Sequence, residues 1–267
     1  MEEKRNFDLL TLGQVLLRLS PPNNDRLVRG DTFVKQVGGA ELNVAVGVAL
    51  LGLRTGVISK LPSHDMGSFM KGKIRSYGVS DDFFMYDDSP SARVGIYYYE
   101  NGAYPRKPKV IYDRANSSFY SLKIDEIPEK AYTASRCFHT SGITLALSPK
   151  VRETTIEMIK RFKAAGTLVS FDVNFRGNLW TGEEAKECIE QILPYVDIFF
   201  CSEDTARLTF KKTGTAREMM KSFTEEYPIS IVASTQRIVH SPKSHTFGSI
   251  IYLSLIHISE PTRPISI

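Results

Sequence analysis

A chain of 267 residues, 42% hydrophobic and 24% charged, has a globular composition with enough apolar matter for one sizeable core. The net charge of +4 comes from Lys and Arg interleaved with Asp and Glu, so no basic block points to nucleic acid as a partner. The longest apolar stretch, Val44 to Leu51, contains Gly47 and falls far short of the roughly 20 residues of a membrane span, so no membrane partner is expected.

Taken in chain order, Phe7 to Leu19 predicts a β-rich start, its Leu-Leu-Thr-Leu run suited to a strand buried on both faces. Gly38 and Gly39 then open "AELNVAVGVALLGL", helical in length, apolar nearly all round and stopped by Gly52; such a helix is expected to be buried. "TGVISKL" predicts a second strand. Asp65 to Tyr77 predicts an amphipathic helix closed by Gly78. "RVGIYYYENG" and "KVIYDR" have no helix between them and predict an antiparallel ribbon set apart from a parallel core.

From Ser135 strand and helix alternate. "RCFHTSGI", "TLVSFDVNF", "DIFFCS" and "ISIVAS" are the predicted strands. Ser148-Pro149 caps a helix running to Gly166, Thr181 to Glu184 is a capping box for a helix to about Val196, and Glu203 to Lys212 predicts another. Repeated strand–helix units predict a parallel sheet covered on both faces, with ligands beyond the carboxyl ends of its strands.

Three constellations carry chemistry. In "VGGAELNVA" two glycines before a helix let backbone N–H groups approach an oxygen-rich ligand, with Asn43 the polar side chain of the first turns; a tight turn with a capping amide is the bland alternative. In "DVNFRGNLW" Asp172, Asn174 and Arg176 alternate as a buried strand ends. Arg176 there is either a fork for a carboxylate or the partner of a structural Asp172–Arg176 salt bridge. Tyr97, Tyr99, Tyr112 and Arg114 put hydroxyls and a second guanidinium on the ribbon, facing a ligand or forming an aromatic packing or dimer surface.

Other motifs fail. "GSFMKGKI" matches a phosphate-cradling loop until Ile74, where Ser or Thr is needed, and no G-x-G-x-x-G occurs. Cys137, Cys188 and Cys201 are scattered and read as buried thiols of a reducing compartment. Met1 to Asn6 is charged and does not read as a signal peptide, so a cytoplasmic location is expected. His240 and His245 fall in a polar, turn-like stretch with no metal-ligand spacing.

Together, "VGGAELNVAVGVALLGL", "VGIYY", "KVIYDRANSS", "TSGITLALSP", "DVNFRGNLW" and "DIFFCSEDTARLTF" resemble the ribokinase-like (PfkB) carbohydrate kinases, in order and at family-like spacing from about residue 7 to 252. The resemblance implies an α/β fold: a Rossmann-type parallel sheet flanked by helices, with a small β-sheet lid whose strands lie within 12–38 and 90–116. It implies transfer of phosphate from ATP, with Mg²⁺, to a hydroxyl of a sugar acid, 2-keto-3-deoxygluconate being the expected substrate. Kinase action on a neutral sugar such as fructose or ribose, or sugar binding without catalysis, are the alternatives.

Carried over by position, Gly38, Gly39 and Asn43 would meet the sugar, Tyr97 and Tyr112 would reach it from the lid, and Arg114 and Arg176 would hold its polar and carboxylate end. Ser202 would lie near the nucleotide. A homodimer through the lid is also implied.

The departures are informative. "SEDT" (Ser202 to Thr205) stands where the family has N-x-x-E, Gln14 where many relatives carry an acidic residue, and "VASTQ" lacks a nucleotide-side lysine. The family's catalytic aspartate lies in a G-A-G-D segment that this sequence does not contain; it is expected C-terminal to Tyr252 in a longer parent. "LSLIHISEPTR" resembles a translated sequencing adapter. Residues 1–252 therefore read as a partial kinase domain and 253–267 as a non-native tail.

Overall fold

The computed structural model describes residues 5–102, 105–241 and 244–254. In chain order the strands are β1 (Phe7–Leu12), β2 (Leu16–Ser20), β3 (Val34–Gly38), β4 (Thr55–Pro62), β5 (Val79–Ser80), β6 (Phe84–Asp87), β7 (Gly95–Glu100), β8 (Lys109–Asp113), β9 (Ser135–Ser141), β10 (Leu168–Asp172), β11 (Ile198–Phe200), β12 (Ile231–Ser241) and β13 (Ser244–Leu253). The α-helices are α1 (Ala40–Leu50), α2 (Asp65–Ser76), α3 (Lys130–Thr133), α4 (Gly142–Ala146), α5 (Pro149–Ala164), α6 (Gly182–Glu190), α7 (Glu203–Leu208) and α8 (Ala216–Glu226).

The predicted caps form. The Ser148 hydroxyl accepts from Val151 N–H with Pro149 in the first turn of α5, and Thr181–Glu184 and Thr215–Glu218 close capping boxes on α6 and α8.

The large sheet runs β13-β12-β11-β10-β9-β1-β4-β5, with β6 also on β4; its pairings are parallel except the β12–β13 hairpin. From β1 the chain winds outward through β4 and β5, then returns to β9 and winds outward the other way. The order therefore reverses between β1 and β9, where the carboxyl ends of the strands leave a crevice. Crossovers of the usual right hand then put the helices of the two halves on opposite faces. The side-chain alternation of β4 shows this: Val57 and Leu61 pack with Leu42 and Ala45 of α1 and Met70 and Ile74 of α2, whereas Ile58 joins the α5 cluster of Val151, Met158, Ile159 and Phe162.

A second sheet, β3-β2-β7-β8, is inserted where the chain leaves the carboxyl ends of β1 and β6. The predicted β-rich start thus divides: β1 enters the large sheet and β2 the small one. The β7–β8 ribbon is antiparallel as expected, but β7 also lies parallel to β2, with Arg18 opposite Tyr97.

The segment resembling a phosphate loop lies inside α2, packed so closely that a Cβ on Gly67 would come 1.8 Å from the Pro62 carbonyl oxygen. His240 and His245 lie in the strands of a hairpin rather than in a turn, and His240 Nε2 pairs with Thr246 Oγ1 at 2.8 Å. Leu253 closes β13 opposite Ile231, and residues 255–267 of the expected tail lie outside the described residues.

The sheet is not covered throughout on both faces. Among the described residues α1 and α2 shield only the β1–β4–β5 half. On the same face farther along, Leu168, Phe200, Ile251 and Leu253 are exposed. Nor is α1 buried all round: Leu42 is 2% exposed, but Leu50 and Leu51 are 80% and 79% exposed. No described helix is long and apolar enough to cross a membrane.

The two leucines of α1 therefore separate in a denaturant titration. Leu42→Ala is expected to cost about 2–5 kcal/mol through a core cavity, and Leu50→Ala to stay within about 0.5 kcal/mol. Equal costs would contradict the exposure of this face.

Candidate active site

At the crevice, Gly39 occupies the N-cap of α1 with φ 151°, and a Cβ there would lie 2.7 Å from the Gln14 carbonyl oxygen, so only glycine fits the turn. Gly38 is constrained more softly: the Tyr97 hydroxyl, the end of a side chain, sits 2.6 Å from where its Cβ would be. Asn43 projects from the first turn of α1. In the second sheet Tyr97 and Tyr112 are register partners on one face, rings 6.0 Å apart.

Arg114 follows β8 and is fixed by a buried amide. Its Nε donates to Gln14 Oε1 at 2.8 Å, while Gln14 Nε2 donates to the Arg114 carbonyl at 3.1 Å and to Ser117 Oγ at 2.6 Å. Burial pulls the Arg114 pKa down, against the charges around it, including Glu41. Gln14, where an acid was the family expectation, thus orients this guanidinium without neutralising it.

These side chains enclose a cavity of about 410 Å³, lined by Gly39, Asn43, Tyr97, Tyr112, Arg114 and Arg176 among others. Of the residues expected to meet the sugar, Gly38 alone is not on its wall; it lies behind Tyr97. Arg18, Tyr99 and Asn178 line the cavity and were not singled out as sugar contacts from sequence. Arg18 had a signal: a charge two residues from Leu16 on an inward strand face.

A second cavity of about 310 Å³ lies beyond β10, β11 and β12, lined by Asp172, Asn174, Phe200, Ser202 and Thr235. Arg176 belongs to both walls and joins them. Ser202 caps α7, its hydroxyl accepting from Thr205 N–H at 3.2 Å and pairing with Thr205 Oγ1 at 2.8 Å.

The structural salt bridge between Asp172 and Arg176 does not form. Asp172 Oδ1 accepts from Asn174 N–H at 3.0 Å, in a turn that sets Asn174 at φ 37°, and Arg176 donates to the Phe175 carbonyl at 3.0 Å. Burial pushes the Asp172 carboxyl up to about 6, the Asn174 N–H opposes the rise, and the charge of Glu41 adds to it.

Glu41 is the other residue that sequence reasoning passed over. It is buried in the first turn of α1, with Oε1 accepting from Ser141 Oγ at 2.5 Å and Thr144 Oγ1 at 2.8 Å. Burial raises its pKa and the two hydroxyls oppose the rise. Among the described residues no three His, Cys, Asp or Glu side chains cluster to hold a metal.

A crevice at the strand-order reversal, roofed by a second sheet and divided into two cavities, suits two ligands meeting end to end. A family model described as pfkB family carbohydrate kinase matches residues 6–236. The chain belongs to this family of carbohydrate kinases. Its fold is the ribokinase-like α/β fold, and membership of this kinase family implies ATP as the phosphate donor.

The kinase is 34% identical to the 2-dehydro-3-deoxygalactonokinase of Haloferax volcanii over 229 residues, 86% of this chain and 71% of that protein. It is 30% identical to the 2-dehydro-3-deoxygluconokinase of Bacillus subtilis over 197 residues, 73% of this chain and 60% of that protein. The solved 2-dehydro-3-deoxygluconokinase of Thermotoga maritima matches with a TM-score of 0.87 at 31% identity, covering 93% of this chain and 77% of that one.

Asp172 gives the kinase a pH signature. Its pKa lies above the ordinary 3.8, so between about pH 4 and 6 the folded chain keeps a proton that the unfolded chain releases. The stabilisation is whole below about pH 4 and lost as pH rises through about 6, a change of roughly 3 kcal/mol. Asp172→Asn is therefore expected to match the parent at pH 4 and to exceed it increasingly toward pH 7, measured by urea unfolding in metal-free buffer. A difference that does not grow with pH would contradict the buried-acid account.

Proposed function

We propose that this kinase phosphorylates a 2-keto-3-deoxy sugar acid, with 2-keto-3-deoxygluconate the first substrate to test and its 6-hydroxyl the acceptor. The single observation carrying this reading is the charge of the larger cavity. Arg18, Arg114 and Arg176 line it, and among the described residues no Asp or Glu does. Guanidiniums without counter-charges suit a ligand that brings a carboxylate, and give a neutral sugar little reason to be chosen. The names of the Haloferax, Bacillus and Thermotoga relatives, 2-dehydro-3-deoxygalactonokinase and 2-dehydro-3-deoxygluconokinase, support the same class.

The smaller cavity then takes the triphosphate of ATP. Arg176, on both walls, stands where acceptor hydroxyl and phosphoryl meet, and positioning of this kind is the main work of phosphoryl transfer. Among the described residues the oxygen donors there are one carboxylate, Asp172, the Asn174 amide and the hydroxyls of Ser202, Thr205 and Thr235. That set fits Mg²⁺ carried in on phosphates and water rather than caged by protein. The ion would neutralise phosphate charge.

Arg176→Ala is expected to weaken binding of 2-keto-3-deoxygluconate to the 267-residue chain by about 1.5–3 kcal/mol, the range for a hydrogen bond between a charged group and a ligand hydroxyl. Calorimetry finding equal affinity would remove the assigned role, and fructose or ribose binding better than the acid would overturn the substrate class.

We also place the base that accepts the hydroxyl proton in a G-A-G-D segment, which this sequence does not contain. The 267-residue chain is therefore expected to bind the acid and to show no ATP-dependent phosphorylation above background. Measurable turnover would move the role to Asp172.

A homodimer through the second sheet completes the reading. Its edge strand β8 is exposed along its whole length, with Val110, Ile111 and Tyr112 uncovered. Sedimentation as a strict monomer at micromolar concentration would count against it.

A further inference from the structure

We propose that Arg18 is a third ligand-contacting residue of the sugar cavity and the one that discriminates a carboxylate from its neutral counterpart. The inference rests on the sugar-acid reading above and goes beyond it in residue and role.

The backbone places Arg18 for this. Leu16, Arg18 and Ser20 alternate onto one face of β2. Arg18 is the register partner of Tyr97, and Tyr97 in turn of Tyr112, so the three stand in one row across the sheet, one step outward from the row of Arg114. All four line the same cavity. The head group is held before any ligand arrives. Its Nε donates to Ser20 Oγ at 2.9 Å, and the guanidinium lies 4.3 Å above the Tyr99 ring. The Tyr97 hydroxyl, raised in pKa by burial, is hydrogen-bonded to Arg18 and pulled back by its charge. What Arg18 lacks is an acid: among the described residues no carboxylate pairs with it.

The other two arginines are differently committed. Arg114 has its Nε on Gln14 and lies in the field of Glu41. Arg176 stands on the wall shared with the second cavity, where phosphates compete for it. Arg114 also lies over a ring, that of Tyr112 at 5.6 Å, but its Nε is spent on the buried amide; Arg18 stacks more closely, is half-buried, has only a hydroxyl on its Nε and does not line the second cavity. A carboxylate beside it would use the remaining N–H groups and the Tyr97 hydroxyl, turning the opposite end of the sugar toward Arg176.

The test compares 2-keto-3-deoxygluconate with its C1 amide, which has the same shape without the charge, by calorimetry on the parent chain, Arg18→Gln and Arg18→Lys. Arg18→Gln is expected to weaken binding of the acid roughly tenfold or more while changing the amide little, and Arg18→Lys to recover part of the loss. A thermal melt shows whether each variant folds, and the lysine variant keeps the charge if glutamine at this position does not. If the parent prefers the acid and neither variant alters that preference, the role of Arg18 is wrong while the sugar-acid reading stands. If the parent does not prefer the acid, the sugar-acid reading falls and Arg18 with it. Equal weakening of acid and amide would assign Arg18 to packing of Tyr97 and Tyr99, and overturn its role in selection.

Discussion

The site depends on a buried carboxyl group. Glu41 enters the first turn of α1 and is enclosed where β1, β9 and α4 converge, with the Ser141 and Thr144 hydroxyls as its donors. The fit admits nothing more: a Cβ on Gly13 would come 2.2 Å from Glu41 Oε2. Burying an acid is costly, and charge-assisted hydrogen bonds recover part of that cost only if their geometry holds. The group therefore ties together the three elements flanking the strand-order reversal. Gly39 precedes Glu41 by two residues and Ile143 lies between its two donors, so the floor of the sugar cavity inherits the same geometry.

Charge is segregated around that floor. Arginines face the ligand space, and the acids that could neutralise them lie behind the wall or on the second cavity. The charge of Glu41 adds to the difficulty Asp172 has in ionising, and Arg114 eases the ionisation of Glu41. This is an arrangement kept open for anions. Pairing Asp172 with Arg176 would have consumed the one guanidinium that, among the described residues, lines both cavities; the turn at Asn174 instead draws the carboxylate onto backbone N–H.

Much of this was legible in the sequence because it rests on local rules. Caps at Ser148, Thr181 and the glycine pair at 38–39 report backbone requirements, and they fell where the structure has them. Tyr97, Tyr112, Arg114 and Arg176 come together on one cavity as the alternation and the family resemblance suggested. What was not legible depends on partners far along the chain. β2 reads like a continuation of β1, yet its neighbours are β3 and β7. Beyond Glu41 and Asn43 the helix α1 is apolar all round, and composition could not reveal that the sheet beside it leaves Leu50 and Leu51 uncovered. Glu41 resembled an ordinary acid in a first helical turn, since its donors lie 100 and 103 residues away.

The bare half of the sheet has a bearing on the chemistry. Phe200 and Ala233, which line the smaller cavity, stand on the face where Leu168, Ile251 and Leu253 are exposed. The sugar cavity, by contrast, is walled by α1, the second sheet and the loop after β10. The two cavities thus differ in kind. One is shaped by residues fixed from several sides and can select its ligand by charge and form. The other is fixed on its sheet side and at Arg176. On the proposed reading, selection of the sugar and its presentation to the nucleotide are therefore separable properties of this fold, joined through one arginine, because among the described residues Arg176 is the only charged side chain that both walls share.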